Sequence, residues 1–306
     1  MKTETTNTKN FSRRSFIKMG GTLAGALMLH NMGIGASSSP VTEVDAHLWV
    51  YASKFPPDWD CTPVLDTVFS DLKSAGYAKI EIMESILKHE GSVQRLNELV
   101  NKYDLPVAGT SYYGDMWNTK QQQYILEDIE SVLEKLHDVG GKMIGLTVGD
   151  AHHIKTEDEL DVQADTLKKI FSTCSKYNIQ PNLHNHTFEV ENNMHDLKGT
   201  LARIPDAKLG PDLNWLIRGG VDPVWFIKTY GHKMVYMHIR DQNADGKWTE
   251  AVGEGVTDFP AIAKALKEIN YKGKAAVELA FDNPPVRPVR EDWKISRDYV
   301  KKVFGW

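Results

Sequence analysis

Two cysteines in 306 residues cannot build a disulfide scaffold or a Cys-rich zinc module. Basic residues are also short. Thirty-six Lys and Arg face 41 Asp and Glu, a formal net charge of -5, whereas a nucleic-acid partner would require a basic face. The strand–helix loops hold no G-x-G-x-x-G, which removes the main support for a dinucleotide-binding fold. Beyond the first 36 residues no stretch is long and apolar enough to cross a bilayer, so no stable membrane insertion is expected. What remains, 41% hydrophobic and 25% charged, is an ordinary globular composition. The length suffices to bury most of the apolar surface in one large domain or two small ones.

The charge is unevenly spread. Lys2, Lys9, Arg13, Arg14 and Lys18 oppose only Glu4 within residues 1–36, a local +4 that leaves -9 for the rest. After Arg13 and Arg14 an apolar run extends from Met19 to Ala36, and small residues close it at Gly35, Ala36 and Ser37. A basic start, an apolar middle and a small-residue end are the parts of an export signal. The string S-R-R-S-F-I-K at 12–18 resembles the twin-arginine signal of bacteria. A membrane anchor is the alternative, but the run holds five Gly with His30 and Asn31, too polar to span a bilayer comfortably. Residues 1–36 are therefore expected to be a twin-arginine-type signal, and the mature protein to be soluble and periplasmic.

From residue 41 short strand-like runs alternate with amphipathic stretches. Strands are expected at 44–49, 79–83, 106–112, 143–148, 180–186, 208–213, 234–239 and 274–279, each bounded by Gly, Pro, Asn or Asp. Helices are expected at 62–76, 119–140, 156–177, 222–230, 258–271 and 291–304, several opening on Thr or Asp with Pro close behind. Strand–helix alternation implies parallel strands with crossover helices. Eight such units in residues 41–306 predict an α/β fold, a single (β/α)8 TIM barrel in one domain. Cys61 and Cys174 fall on the expected first and fourth helices, too far apart for the roughly 5.5 Å Cα spacing of a disulfide. Two buried, inert thiols are expected.

Chemistry in such a barrel sits where strands end. The fifth expected strand ends in His184, Asn185 and His186, with Glu189 just beyond. The sixth ends in Asp212, Asn214 and Trp215, the seventh in His238, Arg240 and Asp241, and the eighth in Glu278. Each has a plain structural explanation: Asp212 can cap a turn, and Glu278 can pair with Arg240. Four neighbouring strands ending in ionisable groups are harder to explain that way. Buried carboxylates are costly alone, and a divalent cation satisfies several together. Carboxylates mixed with imidazoles suit Mn²⁺, Zn²⁺, Co²⁺ or Fe²⁺ better than Ca²⁺.

The strings LHNHTFEV, GPDLNW with GGVDP, MHIRDQ, VGEGVTDF and NYKGKAAVEL occur in an order and spacing that resemble the xylose isomerase-like TIM barrel family of sugar phosphate isomerases/epimerases. That family also contains inosose dehydratases and endonuclease IV-type enzymes. The resemblance covers residues 41–306 and is strongest from 180 to 280. It implies one metal held by Glu, Asp, His and Glu from strands five to eight. Asp212, His238 and Glu278 match three of these positions, while His184 stands where the family's epimerases carry Glu. That Glu also serves there as one of two acid–base groups. The departure makes His186 and Glu189 candidates for proton transfer beside Glu278, and Asn185, Trp215 and Arg240 candidates for substrate binding. Whether His184 or His186 is the ligand stays open.

The resemblance implies chemistry beside a carbonyl: an enediolate forms, and the proton returns to give an epimer or an isomer. Expelling a β-oxygen instead gives a lyase or dehydratase, which the missing Glu favours. Export points to a non-phosphorylated sugar or keto-sugar as the small-molecule partner. Trp49, Tyr112, Tyr113, Trp117 and Trp215 can stack on a sugar ring. The endonuclease reading lacks its extra His ligands, and His47, His152 and His153 read as loop polarity. A non-catalytic carbohydrate-binding barrel is the remaining alternative. Barrels of this kind often dimerise.

Overall fold

Strand β1 (Val44–His47) pairs in parallel with β2 (Ile80–Met83) on one side and with the last strand, β7 (Ala275–Glu278), on the other. Beyond β2 follow β3 (Val107–Tyr113), β4 (Met143–Thr147) and β5 (Gln180–Leu183), and beyond β7 lies β6 (His238–Ile239). These relations come from a computed structural model that describes residues 43–306. The expected signal at 1–36 lies outside the described residues.

Residues 208–212 join the two ends of this sheet. Leu209 pairs with Leu183 and with Met234, and Asp212 pairs with His238, all in parallel. The ring of eight is thereby closed, as a (β/α)8 barrel requires. The expected sixth strand is thus reduced to single bridges. Pro211 has no N–H to give a ladder. Gly210 lies so close to β5 that a Cβ there would stand 1.8 Å from Asn182 Oδ1. The expected seventh strand likewise keeps only His238–Ile239 as a ladder.

All six expected helices are present: Leu65–Ala75, Gln122–Asp138, Glu157–Lys176, Pro223–Tyr230, Phe259–Glu268 and Val289–Phe304. Two more complete the outer layer, Ser92–Tyr103 and Thr187–Arg203. The second is broken at Asn192, Asn193 and Met194, all left-handed, a conformation that Asn tolerates better than most residues. Between helices and sheet lies an apolar shell whose largest fully buried side chains are Trp293, Phe69, Phe226 and Phe259. Cys61 and Cys174 are both free and buried, and burial pushes each thiol up to about 12. Among the described residues no helix is long and apolar enough to cross a membrane.

Candidate active site

Side chains alternate along a strand, so in a closed barrel every second residue points into the ring. On β1 those are Asp45 and His47, and on β2 Glu81 is one. His47 is in register with Glu81 on one side and with Glu278 on the other. His238 on β6 bridges two carboxylates: its Nε2 lies 2.8 Å from Glu81 Oε2 and its Nδ1 lies 2.7 Å from Glu278 Oε2. Arg240 reaches two as well. Its Nε stands 2.9 Å from Asp212 Oδ2, and one terminal nitrogen pairs with Glu278 Oε1. His47 Nδ1 lies 3.6 Å from that same Glu278 oxygen. All six groups are buried.

Burial works against every charge here, so the partners decide. Burial lowers the imidazoles of His47 and His184, and it brings His186 down to about 4. His238 goes the other way. The carboxylates of Glu81 and Glu278 outweigh burial and push it up to about 10. For Glu278 the attraction of Arg240, then of His47 and His238, overcomes burial and holds the carboxyl well below its ordinary value. Asp212 is raised by burial despite Arg240.

Above this floor opens a cavity of about 380 Å³. His184, His186, His238 and Glu278 line its base, and Trp49, Trp59, Trp215 and Trp248 stand on its walls. Trp215 meets Trp248 edge-on with ring centres 5.2 Å apart, and Trp49 lies 5.4 Å from Trp59. The Arg218 guanidinium lies 3.4 Å from the Trp248 ring centre and is tied to Gln242 Oε1 and to the Gly246 carbonyl. The walls are apolar and the base is polar, the usual composition of a small-molecule site.

Most residues singled out from the sequence converge here. His184, His186, Asp212, Trp215, His238, Arg240 and Glu278 lie within one cluster, and Tyr112 and Tyr113 reach the cavity. Two do not fit their expected roles. Glu189 was expected to transfer protons, but its carboxylate is buried behind His186 and occupied by backbone. One oxygen accepts from His186 N at 2.7 Å and the other from Val148 N at 3.3 Å, which caps the helix that follows. Burial and the nearby Asp196 push Glu189 up to about 8. Asn185, expected to bind substrate, is buried and turns its amide to the Asp212 carbonyl at 3.4 Å. Neither lines the cavity.

His47, expected to be loop polarity, sits instead on the cavity base, while His152 and His153 lie away from it in the loop after β4. Trp117 is also off the cavity, its ring meeting His153 edge-on. Glu81, Trp248 and Arg218 were not anticipated. A lone carboxylate inside the apolar run Ile80–Met83, and a lone imidazole ending Val44–His47, were the signals that pointed inward.

The donor set fits a divalent cation. His184, Asp212 and His238 each offer one atom, and the three atoms lie within 4.8 Å of one another. Asp212 Oδ2 and His238 Nδ1 are buried without a hydrogen bond, because their short contacts lack hydrogen-bond geometry. Buried polar atoms rarely stay unpaired unless something else satisfies them. Glu278, beside His238 Nδ1, is placed to complete the set.

A family model described as xylose isomerase-like TIM barrel matches residues 69–303. The chain belongs to that family. Its sequence relatives include the inosose dehydratase of Clostridium beijerinckii, 20% identical over 283 residues, covering 82% of this chain and 93% of that relative. The inosose dehydratase of Geobacillus kaustophilus is 23% identical over 274 residues, covering 78% and 87%. Among solved structures, a sugar phosphate isomerase/epimerase from Parabacteroides distasonis superposes with a TM-score of 0.69 at 17% identity, covering 87% of this chain and 96% of the other. The 3-keto-D-glucoside 4-epimerase of E. coli gives 0.66 at 16% identity, covering 87% and 100%. The structural likeness shows the shared barrel.

Proposed function

We propose that this protein is a divalent-metal-dependent isomerase/epimerase of a non-phosphorylated sugar or keto-sugar, exported to the periplasm. The observation that carries this reading is Glu278, a carboxylate on the cavity base kept ionised by Arg240 and the neighbouring His238. His184, Asp212, His238 and Glu278 would hold the cation. When bound, such an ion stabilises negative charge that develops on a carbonyl oxygen of the substrate. Ionised Glu278 takes the proton from the carbon beside that carbonyl. Returning it to the neighbouring carbon gives an isomer. An epimer needs delivery from the opposite face, a role for which His186, after β5 on the cavity lining, is the candidate.

Two features support a substrate without phosphate. Both guanidiniums near the cavity are already engaged, Arg240 by carboxylates and Arg218 by Gln242 and Gly246. The twin-arginine-like segment points to a compartment where free sugars and glycosides are met.

A second reading, elimination, is favoured by His184 in place of a second carboxylate and by relatives named as dehydratases. Glu278 then passes the same proton to a β-oxygen, which leaves as water. The test is incubation of Mn²⁺-loaded protein with ketoses and 3-keto-glycosides in D₂O. Deuterium at the α-carbon of an intact sugar supports the isomerase/epimerase. An unsaturated or cleaved product supports elimination. No exchange and no product across both classes overturns both.

A further inference from the structure

We infer that Glu81 is a positioning residue that decides which nitrogen of His238 faces the cation. The inference rests on the metal reading above and adds to it a residue on the opposite side of the imidazole. A histidine that binds a metal must present a bare ring nitrogen, and its other N–H usually finds a carboxylate or carbonyl that fixes the tautomer. Here the two nitrogens face different surroundings. Nε2 lies 2.8 Å from Glu81 Oε2 in hydrogen-bond geometry, whereas Nδ1 lies 2.7 Å from Glu278 Oε2, on the candidate ligand side, without hydrogen-bond geometry. When an ion displaces the Nδ1 proton, Glu81 would keep the other proton on Nε2 and so leave the Nδ1 electron pair for the ion.

The surroundings keep this pair in place. Glu81 and His238 are both buried, so water cannot replace either partner. Tyr236, two residues before His238, meets the imidazole edge-on with ring centres 5.7 Å apart. Its hydroxyl donates to Asp45 Oδ2 at 3.2 Å, which anchors the ring. On the other flanks His47 and His184 rings lie 5.1 and 4.6 Å from the His238 ring. The imidazole is thus enclosed on its flanks, and Glu81 determines its polarity.

The test uses Zn²⁺ as the probe and the full protein labelled with ¹⁵N-histidine. On Zn²⁺ loading, the His238 ring should show a protonated Nε2 and a metal-bound Nδ1. Zn²⁺ bound through Nε2 overturns this inference and leaves the metal reading intact. A protein that binds no Zn²⁺, or binds it without His238, overturns both. Glu81→Gln should weaken Zn²⁺ binding by about 10–100-fold. Affinity within twofold of the parent, with only the metal-free thermal midpoint lowered, would mean that Glu81 merely supports the fold, and would overturn the assignment.

Discussion

At Glu278 an arginine and two histidines converge on one carboxylate, so a single substitution there separates charge from shape. Glu278→Gln keeps the volume and removes the ionised oxygen that the proposed chemistry needs. Turnover should fall by about 10²–10⁴-fold, measured as deuterium exchange into the substrate, and full turnover would remove Glu278 from the reaction. Asp45 shows a different residue-scale effect, on stability. It is fully buried, and burial raises its carboxyl to about 7 from an ordinary 3.8. The unfolded chain ionises Asp45 as pH rises past its ordinary value, while the fold resists until about 7. This group's contribution is therefore complete at low pH and is lost as pH climbs through that window. Asp45→Asn escapes the loss and can still accept from Tyr236. Its unfolding free energy in denaturant, relative to the parent, should rise between pH 4 and pH 8 by a few kcal/mol, about 1.4 for each pH unit of the shift. A constant difference across that range would contradict the assignment.

Among the elements, the joint at 208–212 is the most exacting. Gly210→Ala would drive a methyl into the buried Asn182 amide, which donates to the Ile144 carbonyl and has nowhere to go. A loss of about 1–3 kcal/mol is expected, as for other overpacked cores. The same change in an Asn182→Ala background should cost much less, a coupling that a double-mutant cycle in denaturant would read. The alternation of strands and helices was legible in the chain because caps, Pro and Gly mark the boundaries. The thinness of this strand was not, since Leu209 and Leu213 read as strand while Pro211 quietly removes a donor.

Strand ends also revealed most of the floor, because ionisable groups there contradict an apolar core. They did not reveal Glu81 or the true position of His47. Glu81 is a single polar residue in a four-residue strand, and His47 shares an equally short one with Asp45, too short for alternation to declare which face is taken. Glu189 misled for the converse reason. A carboxylate three residues into a helix caps the backbone as readily as it serves chemistry, and here two backbone N–H groups claim it.

For the molecule as a whole, a cation that binds only the folded barrel must raise its stability. At a hundredfold excess over the dissociation constant the gain is about 2.7 kcal/mol. For a chain of this size that corresponds to a midpoint rise of roughly 5–10 °C. Scanning calorimetry with and without Mn²⁺, and after chelation, would read it, and an unchanged midpoint would count against metal binding.

The rise has a specific place to act. Everywhere else the ring of strands is held by ladders, but between β5 and β6 it rests on isolated bridges. His184 follows β5, Asp212 lies on the bridging segment, and His238 begins β6, so the three candidate ligands straddle that one weak joint. An ion gripped by all three would work as a rivet across the seam that only single bridges close. The amides of Leu209, Val235 and His238, whose hydrogen bonds cross the seam, should then exchange with solvent more slowly in Mn²⁺ than the ladder amides of β3, whose protection should hardly change.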